Sequence, residues 1–181
     1  MLEITTSRLR LIALSLEQLY LLINDMSQLQ QQLGLNPFEV QLTPEFDAEY
    51  IESIQEFCLP RLRHELSRTV EGHPEDYAWF THWIVVHQAD NRRIGGIGLG
   101  GLPDEQGESM IGYFIDPRYA GRGLATEAAG ALCKWLSQDA RLDAVIATVP
   151  TGHIASERVL EKIGFEQVSV DDGLGLWRKE A

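Results

Sequence analysis

Residues 112–129 read Gly-Tyr-Phe-Ile-Asp-Pro-Arg-Tyr-Ala-Gly-Arg-Gly-Leu-Ala-Thr-Glu-Ala-Ala, and they constrain the fold more than any other stretch. The order is an apolar strand, a proline turn, two glycines one residue apart, and a helix. A helix start leaves backbone N–H groups without partners and carries the positive end of the helix dipole. Gly121 and Gly123 lack a Cβ, so an anion can approach the main chain and a positive φ costs little. Arg122 adds a cation between them. The physical reading is a pyrophosphate cradle; the competing reading is a plain helix-entry turn. No Gly-Lys-Ser/Thr follows, which excludes a P-loop, and the spacing and late position do not fit a dinucleotide fingerprint.

The chain has 181 residues and is 44% hydrophobic, enough for one full core, so a single domain over 1–181 is expected. No run of about 18 apolar residues occurs, and no membrane span is expected. Met1-Leu-Glu-Ile-Thr-Thr-Ser-Arg lacks the basic and apolar regions of a signal peptide. Cys58 and Cys133 do not make a disulfide framework, and a reducing cytoplasm is the simple expectation. A net charge of −12 argues against direct nucleic-acid binding and suits a cationic amine, or solubility alone. An anionic ligand must then be captured locally, by Arg118, Arg122 and the cradle amides. No His/Cys/Asp/Glu cluster has metal-ligand spacing, so no metal is expected.

Along the chain, residues 3–14 read as a strand, Arg8-Leu9-Arg10-Leu11 alternating as a half-buried edge does. From the cap Ser15, leucines at helical spacing run to Gly34. A second helix starts at Thr43-Pro44, with the stripe Phe46, Tyr50, Ile54 and Phe57 or Cys58. Pro60 should break or kink it before Leu62 and Leu66, and Gly72-His73-Pro74 should end the helical half. Residues 77–88, 94–102 and 108–115 read as a β-meander. A helix from Leu124, a strand at 143–149, a helix at 154–163 closed by Gly164 and a hairpin across Asp171-Asp172-Gly173 complete the reading.

Ala120-Gly121-Arg122-Gly123-Leu124-Ala125 resembles the acetyl-CoA loop of GNAT N-acetyltransferases, Gln/Arg-x-x-Gly-x-Gly/Ala, with Ala120 at the first position. Arg118-x-x-Gly121-x-Gly123 fits the pattern two residues earlier. The wider wording, and Thr-Ser-Arg-Leu-Arg-Leu near the start, is similar to the RimJ/RimL branch. His153-Ile-Ala-Ser156-Glu-Arg-Val-Leu-Glu-Lys-Ile-Gly-Phe165 resembles the segment Asn-x-x-Ser-x-x-x-Leu-x-Lys-x-Gly-Phe, with His153 in place of Asn. The resemblance is close over about residues 108–168.

It implies an α/β fold with a mixed, mostly antiparallel sheet, splayed in the middle and flanked by helices. Acetyl-CoA would be the co-substrate, held by Ile115, Ala120, Gly121, Arg122, Gly123, Leu124, Ala125, Thr126 and His153. Its pantetheine arm would lie beside Met110–Ile115 like an added strand. The implied reaction is attack of a neutral amine on the thioester, the amine belonging to a small molecule or a peptide or protein N-terminus.

Ser156 is the candidate donor to the leaving thiolate, or an N-cap or helix-face serine. Glu108 is the candidate base, or a solvated strand-end charge. It lies two residues before Met110, which stands where the family often has an acid, and thus about 6–7 Å away on the same face. His82, His87 and solvent are the alternative bases. Cys133 amid Leu132, Trp135 and Leu136 reads as core, and Trp79 or Trp83 is a candidate lining for an acceptor pocket. A homodimer is one candidate assembly, the sequence naming none, and a CoA-binding sensor or regulatory module without turnover is the rival function.

Overall fold

The computed structural model describes residues 2–68 and 76–181, the side chains of residue 45 and of residues 65–68 excepted. Strands β1 (Glu3–Thr5), β2 (Leu9–Ala13), β3 (His82–His87), β4 (Arg92–Leu99), β5 (Glu108–Ile115), β6 (Ala144–Pro150), β7 (Glu166–Asp171) and β8 (Leu174–Glu180) form one sheet. Their order is β1-β2-β3-β4-β5-β6-β8-β7. Neighbours are antiparallel except β5 and β6, which run parallel.

Helices cover both faces. Leu9, Leu11, Trp83, Val85, Ile97 and Ile111 pack beneath α6 (Leu124–Leu136) and α7 (Ile154–Lys162). The opposite face sets Ile12, Ile84 and Val86 against α1 (Leu16–Asn24), α2 (Met26–Gln32), α3 (Pro44–Ser53) and α4 (Leu59–Arg68). This is the mixed, mostly antiparallel α/β architecture that the sequence implies.

Four local readings change. The expected first strand is a hairpin, since Thr6 N–H donates to the Leu9 carbonyl and turns the chain back between β1 and β2. The first helix is two. Asp25 leaves helical geometry at φ −153° and its carboxylate accepts from Gln28 N–H, capping α2 as Ser15 caps α1. Pro60 does not break its helix. The turn before it, Ile54–Cys58, widens to a π-helix in which Leu59 N–H donates to Ile54 O, and the chain stays helical into α4. Widening absorbs the hydrogen bond that proline cannot make. Residues 77–80 form a helical turn, α5 (Tyr77–Phe80), before β3 begins. The expected stop at Gly72-His73-Pro74 lies outside the described residues, as does the Leu66 side chain.

Other local chemistry follows the sequence. Gly164 (φ +90°) closes α7 in a Schellman arrangement, with Gly164 N–H on Glu161 O and Phe165 N–H on Leu160 O. Asp172 and Gly173, at φ +46° and +78°, make the two-residue turn between β7 and β8.

Candidate active site

Strand β5 uses its edges at different heights. Residues 111–115 ladder with 95–99 of β4, whereas 108–110 ladder with 144–146 of β6. Beyond Met110 the edge facing β6 is open. Gly100 N–H donates to Met110 O and Asp116 N–H to Ile94 O, which puts the even-numbered main chain on the β4 side. By alternation, Ile111 N–H closes the parallel ladder opposite Ile146, and the Ile111 C=O with the N–H and C=O groups of Tyr113 and Ile115 face the gap.

The gap leads into the glycine loop. Gly121 and Gly123 sit at φ +73° and +74°, where other residues are strained. A Cβ at Gly121 would meet nothing within 4 Å, so the main chain is open to an incoming group. Gly123 is the N-cap of α6 and brings no capping side chain. A Ser or Asp there would occupy the first-turn amides; glycine leaves those of Leu124, Ala125 and Thr126 for a ligand. Ala120, Gly121, Arg122 and Gly123 are exposed and Leu124 is buried, anchoring the helix. The donor set fits a pyrophosphate: oriented amides at a helix start, with open space in front.

The loop is held from two sides. Glu127, in the first turn of α6, accepts from the Thr6 and Ser7 hydroxyls, at 2.6 and 3.1 Å, and from Arg8 N–H and Nε at 3.0 and 2.7 Å. Arg8 Nη1 donates to Arg122 O at 2.9 Å, so the start of the chain grips the cradle. Hydrogen bonds from Thr6, Arg8 and Ser7 lower the Glu127 pKa against the opposing effect of burial. Tyr119 OH donates to Asp90 at 2.6 Å, and the same carboxylate oxygen is 2.9 Å from His87 Nδ1. Asp116, fully buried, accepts from Gln41 N–H and pairs with Arg118 at 2.7 Å. Neither grip was visible in the sequence. The Thr-Ser-Arg and Ala-Thr-Glu motifs were both legible, but 120 residues apart nothing signalled their contact. Removing Glu127 strands three side-chain donors and one amide. Glu127→Ala should cost about 2–3 kcal/mol, seen as a melting temperature roughly 4–9 °C lower, and should weaken coenzyme A binding several-fold.

The expected site residues separate into groups. Ser156, half-buried on α7, meets Tyr113 of β5, whose OH donates to Ser156 O at 3.4 Å. Burial pushes the Tyr113 phenol up to about 12, while a hydrogen bond with the Ser156 side chain pulls it down. Tyr113 is therefore protonated at neutral pH, and sequence reading missed it because it stood within the Gly-Tyr wording as packing. His153 is exposed at the start of α7 and makes no side-chain cap bond. Glu108 is not a free carboxylate. It accepts from Arg178 Nε at 2.7 Å, and Arg178 also pairs with Glu180. Five positions from Tyr113 it faces the other side of β5, so the structure does not join it to Ser156.

Arg118 is likewise spoken for. It binds Asp116 and Glu39 O and stacks 4.2 Å from the Phe38 ring centroid, under the loop rather than toward a phosphate. Arg122 lies exposed over Tyr119. Trp79 and Trp83 are core, packed on Trp135 under α6, and line no acceptor pocket. Cys133 is buried and its thiol is pushed up to about 11, so it stays protonated. His87 is held at Asp90, below the loop.

The other face of β5 carries an open patch of main chain. Gly98 and Gly112 pair across β4 and β5 there, and a Cβ at Gly112 would meet nothing within 4 Å. Met110 and Phe46 are partly exposed at its edge, and Phe46 packs on Phe114. Phe46 and Phe114 lie 68 positions apart in the chain and were legible only as separate apolar residues.

A family model described as acetyltransferase (GNAT) domain matches residues 8–166. The chain belongs to the GNAT acetyltransferase family. It is 31% identical over 86 residues to the uncharacterized N-acetyltransferase YjdG of Bacillus subtilis, a match covering 48% of this chain and 51% of that protein. The chain spans about half the length of the curated relatives it matches. Two solved GNAT-like structures share the fold. One is RimL, a ribosomal alpha-N-protein acetyltransferase in complex with coenzyme A, at TM-score 0.63 and 14% identity over 99% of this chain and 98% of that one. The other is the microcin self-immunity acetyltransferase MccE in complex with acetyl-CoA and AMP, at TM-score 0.60 and 12% identity over 97% and 94%. Among the described residues no helix is long and apolar enough to cross a membrane, and no group of three His, Cys, Asp or Glu is placed to hold a metal ion.

Proposed function

We propose that this GNAT domain transfers acetyl from acetyl-CoA to a primary amine by direct attack on the thioester. The observation that carries the reading is the open half-edge of β5, which runs into an uncapped helix start with two left-handed glycines. Thioester, pantetheine and pyrophosphate need a polarising amide, a strand edge and an anion cradle in that order, and the chain offers them in that order.

In this reading the amides of Leu124, Ala125 and Thr126 hold the pyrophosphate, with Arg122 alongside. The Ile111 C=O and the free N–H and C=O groups of Tyr113 and Ile115 hold the arm, and the amide of Tyr113 or Ile115 stabilises the oxyanion. The amine nitrogen bonds to the thioester carbon and the C–S bond breaks; the nitrogen gives up one proton to solvent, and the sulfur takes one. Ser156 and Tyr113 are the donor pair for that sulfur. With Glu108 bound to Arg178, no carboxylate is assigned as base, and the amine enters neutral. For an α-amino acceptor kcat/KM should therefore rise with pH up to the amine pKa, about 8. A plateau set near pH 5–6 would instead reveal a protein base.

The deciding experiment is release of free coenzyme A thiol from acetyl-CoA across a panel of amines and N-terminal peptides. Amine-dependent release supports the transferase. Coenzyme binding without release supports the rival reading, a CoA-sensing module, which the tie between Glu108 and Arg178 favours. Ser156→Ala and Tyr113→Phe should each lower kcat about 10-fold or more with acetyl-CoA affinity unchanged. An unchanged rate in either removes that residue from the donor pair.

A further inference from the structure

Beside this face of β5, β4 holds a buried positive charge with no counter-charge among the described residues. Arg93 of β4 is 5% exposed. Its guanidinium lies 5.8 and 5.9 Å from the ring centroids of Tyr50 and Phe114. Nη2 donates to the Tyr50 hydroxyl at 3.0 Å, and Nε has no hydrogen-bond partner. Among the described residues no carboxylate comes within ion-pair distance of it, although the chain carries 27 acidic residues. Asp47, exposed on α3, bears on Tyr50 from the solvent side without pairing with Arg93.

A second buried polar group stands beside it. His82 of β3 is 6% exposed, with its ring 5.0 Å from Tyr50 and stacked on Phe114, and its Nε2 has no partner. Burial, then the charge of Arg93, pushes its pKa down to about 3, so the imidazole is neutral. Its ring covers Gly96, with Nε2 over that residue, and its Nδ1 is 3.7 Å from where a Gly98 Cβ would stand; the open space begins at Gly112, the cross-strand partner of Gly98, where a Cβ would meet nothing within 4 Å.

An arginine cannot shed its charge as a lysine can, and a buried cation is stable only when paired. Two neighbouring buried groups with unsatisfied nitrogens are rare in native proteins and call for a partner from outside. Tyr50 takes one of the five guanidinium donors through Nη2, and Nε–H is left for a carboxylate oxygen. We propose that the acceptor is a small amine of the amino-acid class, its carboxylate received by Arg93 beside His82 while its amine lies over Gly112. This rests on the transferase reading above and narrows it. A carboxylate neutralises the guanidinium and accepts from Nε, whereas a simple cationic amine would meet repulsion from Arg93.

The test uses matched acceptors: free amino acids, their carboxamides and the corresponding decarboxylated amines. Wild-type kcat/KM should favour the free acid at least 30-fold. Arg93→Met should bring that ratio close to one with acetyl-CoA affinity unchanged, and Arg93→Lys should retain part of it. Equal use of acid and carboxamide by the wild type overturns the proposal, as does preference for decarboxylated amines or for N-terminal peptides, or an Arg93→Met variant that keeps the preference. Should Arg93→Met fail to fold, the wild-type ratio decides alone. If no amine is acetylated, the transferase reading fails separately. Calorimetry of the same acids and carboxamides against the coenzyme A-saturated protein then decides: selective binding of the acid supports the subsite, and equal or absent binding overturns it.

Discussion

Gly123→Asp should abolish coenzyme A binding while leaving the fold intact. The position is at φ +74°, which Asp tolerates at a cost of about 1 kcal/mol, and Asp is a favoured N-cap that recovers part of that cost. Its Cβ would stand 3.7 Å from Arg8 Nη2, an ordinary contact. The new carboxylate, however, would cap the amides of α6 and put a negative charge where the pyrophosphate is placed. Two like charges about 4 Å apart repel by roughly 4 kcal/mol near a protein surface, hundreds-fold in affinity. Calorimetry should find at least a 100-fold loss with a melting temperature within a few degrees of wild type. Gly123→Ala, which adds strain but no charge, should lose far less. Unchanged affinity in Gly123→Asp would remove the cradle from these residues.

Asp116→Ala should be the most destabilising single change around the loop. The carboxylate is fully buried and accepts from Gln41 N–H, Arg118 N–H and the Arg118 guanidinium. Alanine leaves those donors unpaired and a gap beneath the cradle, at a cost of about 3 kcal/mol. The melting temperature should fall by roughly 6–12 °C. The Arg118 hydrogen bond lowers the Asp116 pKa, so its contribution has a definite pH dependence. It is complete above the unfolded carboxylate value, about 3.9, and is lost as pH falls through the lower folded value. The gap in stability between wild type and Asp116→Asn should therefore be open at pH 7 and close below about pH 4. A gap that widens on acidification would show that Asp116 does not act as a charged partner.

These two positions also show how far the sequence could be read. The glycine loop was legible because its geometry is local: Gly121, Gly123 and the start of α6 are neighbours in the chain, and the physical need for a positive φ singles out glycine. That the sheet is mixed came from the family resemblance, since parallel pairing of β5 with β6 leaves no local mark. Asp116 read as a turn residue, and its burial depends on Gln41, which arrives from 75 positions away. Glu108 read as a free carboxylate because its partner, Arg178, is 70 residues later. The Pro60 reading failed differently. Proline forbids one hydrogen bond, and a π turn satisfies that prohibition as well as a break does. Arg93 was invisible as a candidate because a single arginine in a strand carries no pattern; only burial without a counter-ion distinguishes it.

The most direct test of the account is calorimetric titration of the protein with acetyl-CoA, with ATP and NAD as controls for generic phosphate binding. The account predicts saturable micromolar binding of acetyl-CoA at one site per chain and much weaker binding of both controls. No binding of acetyl-CoA, or equal binding of all three, would contradict it, because the open edge of β5 would then contribute nothing to recognition.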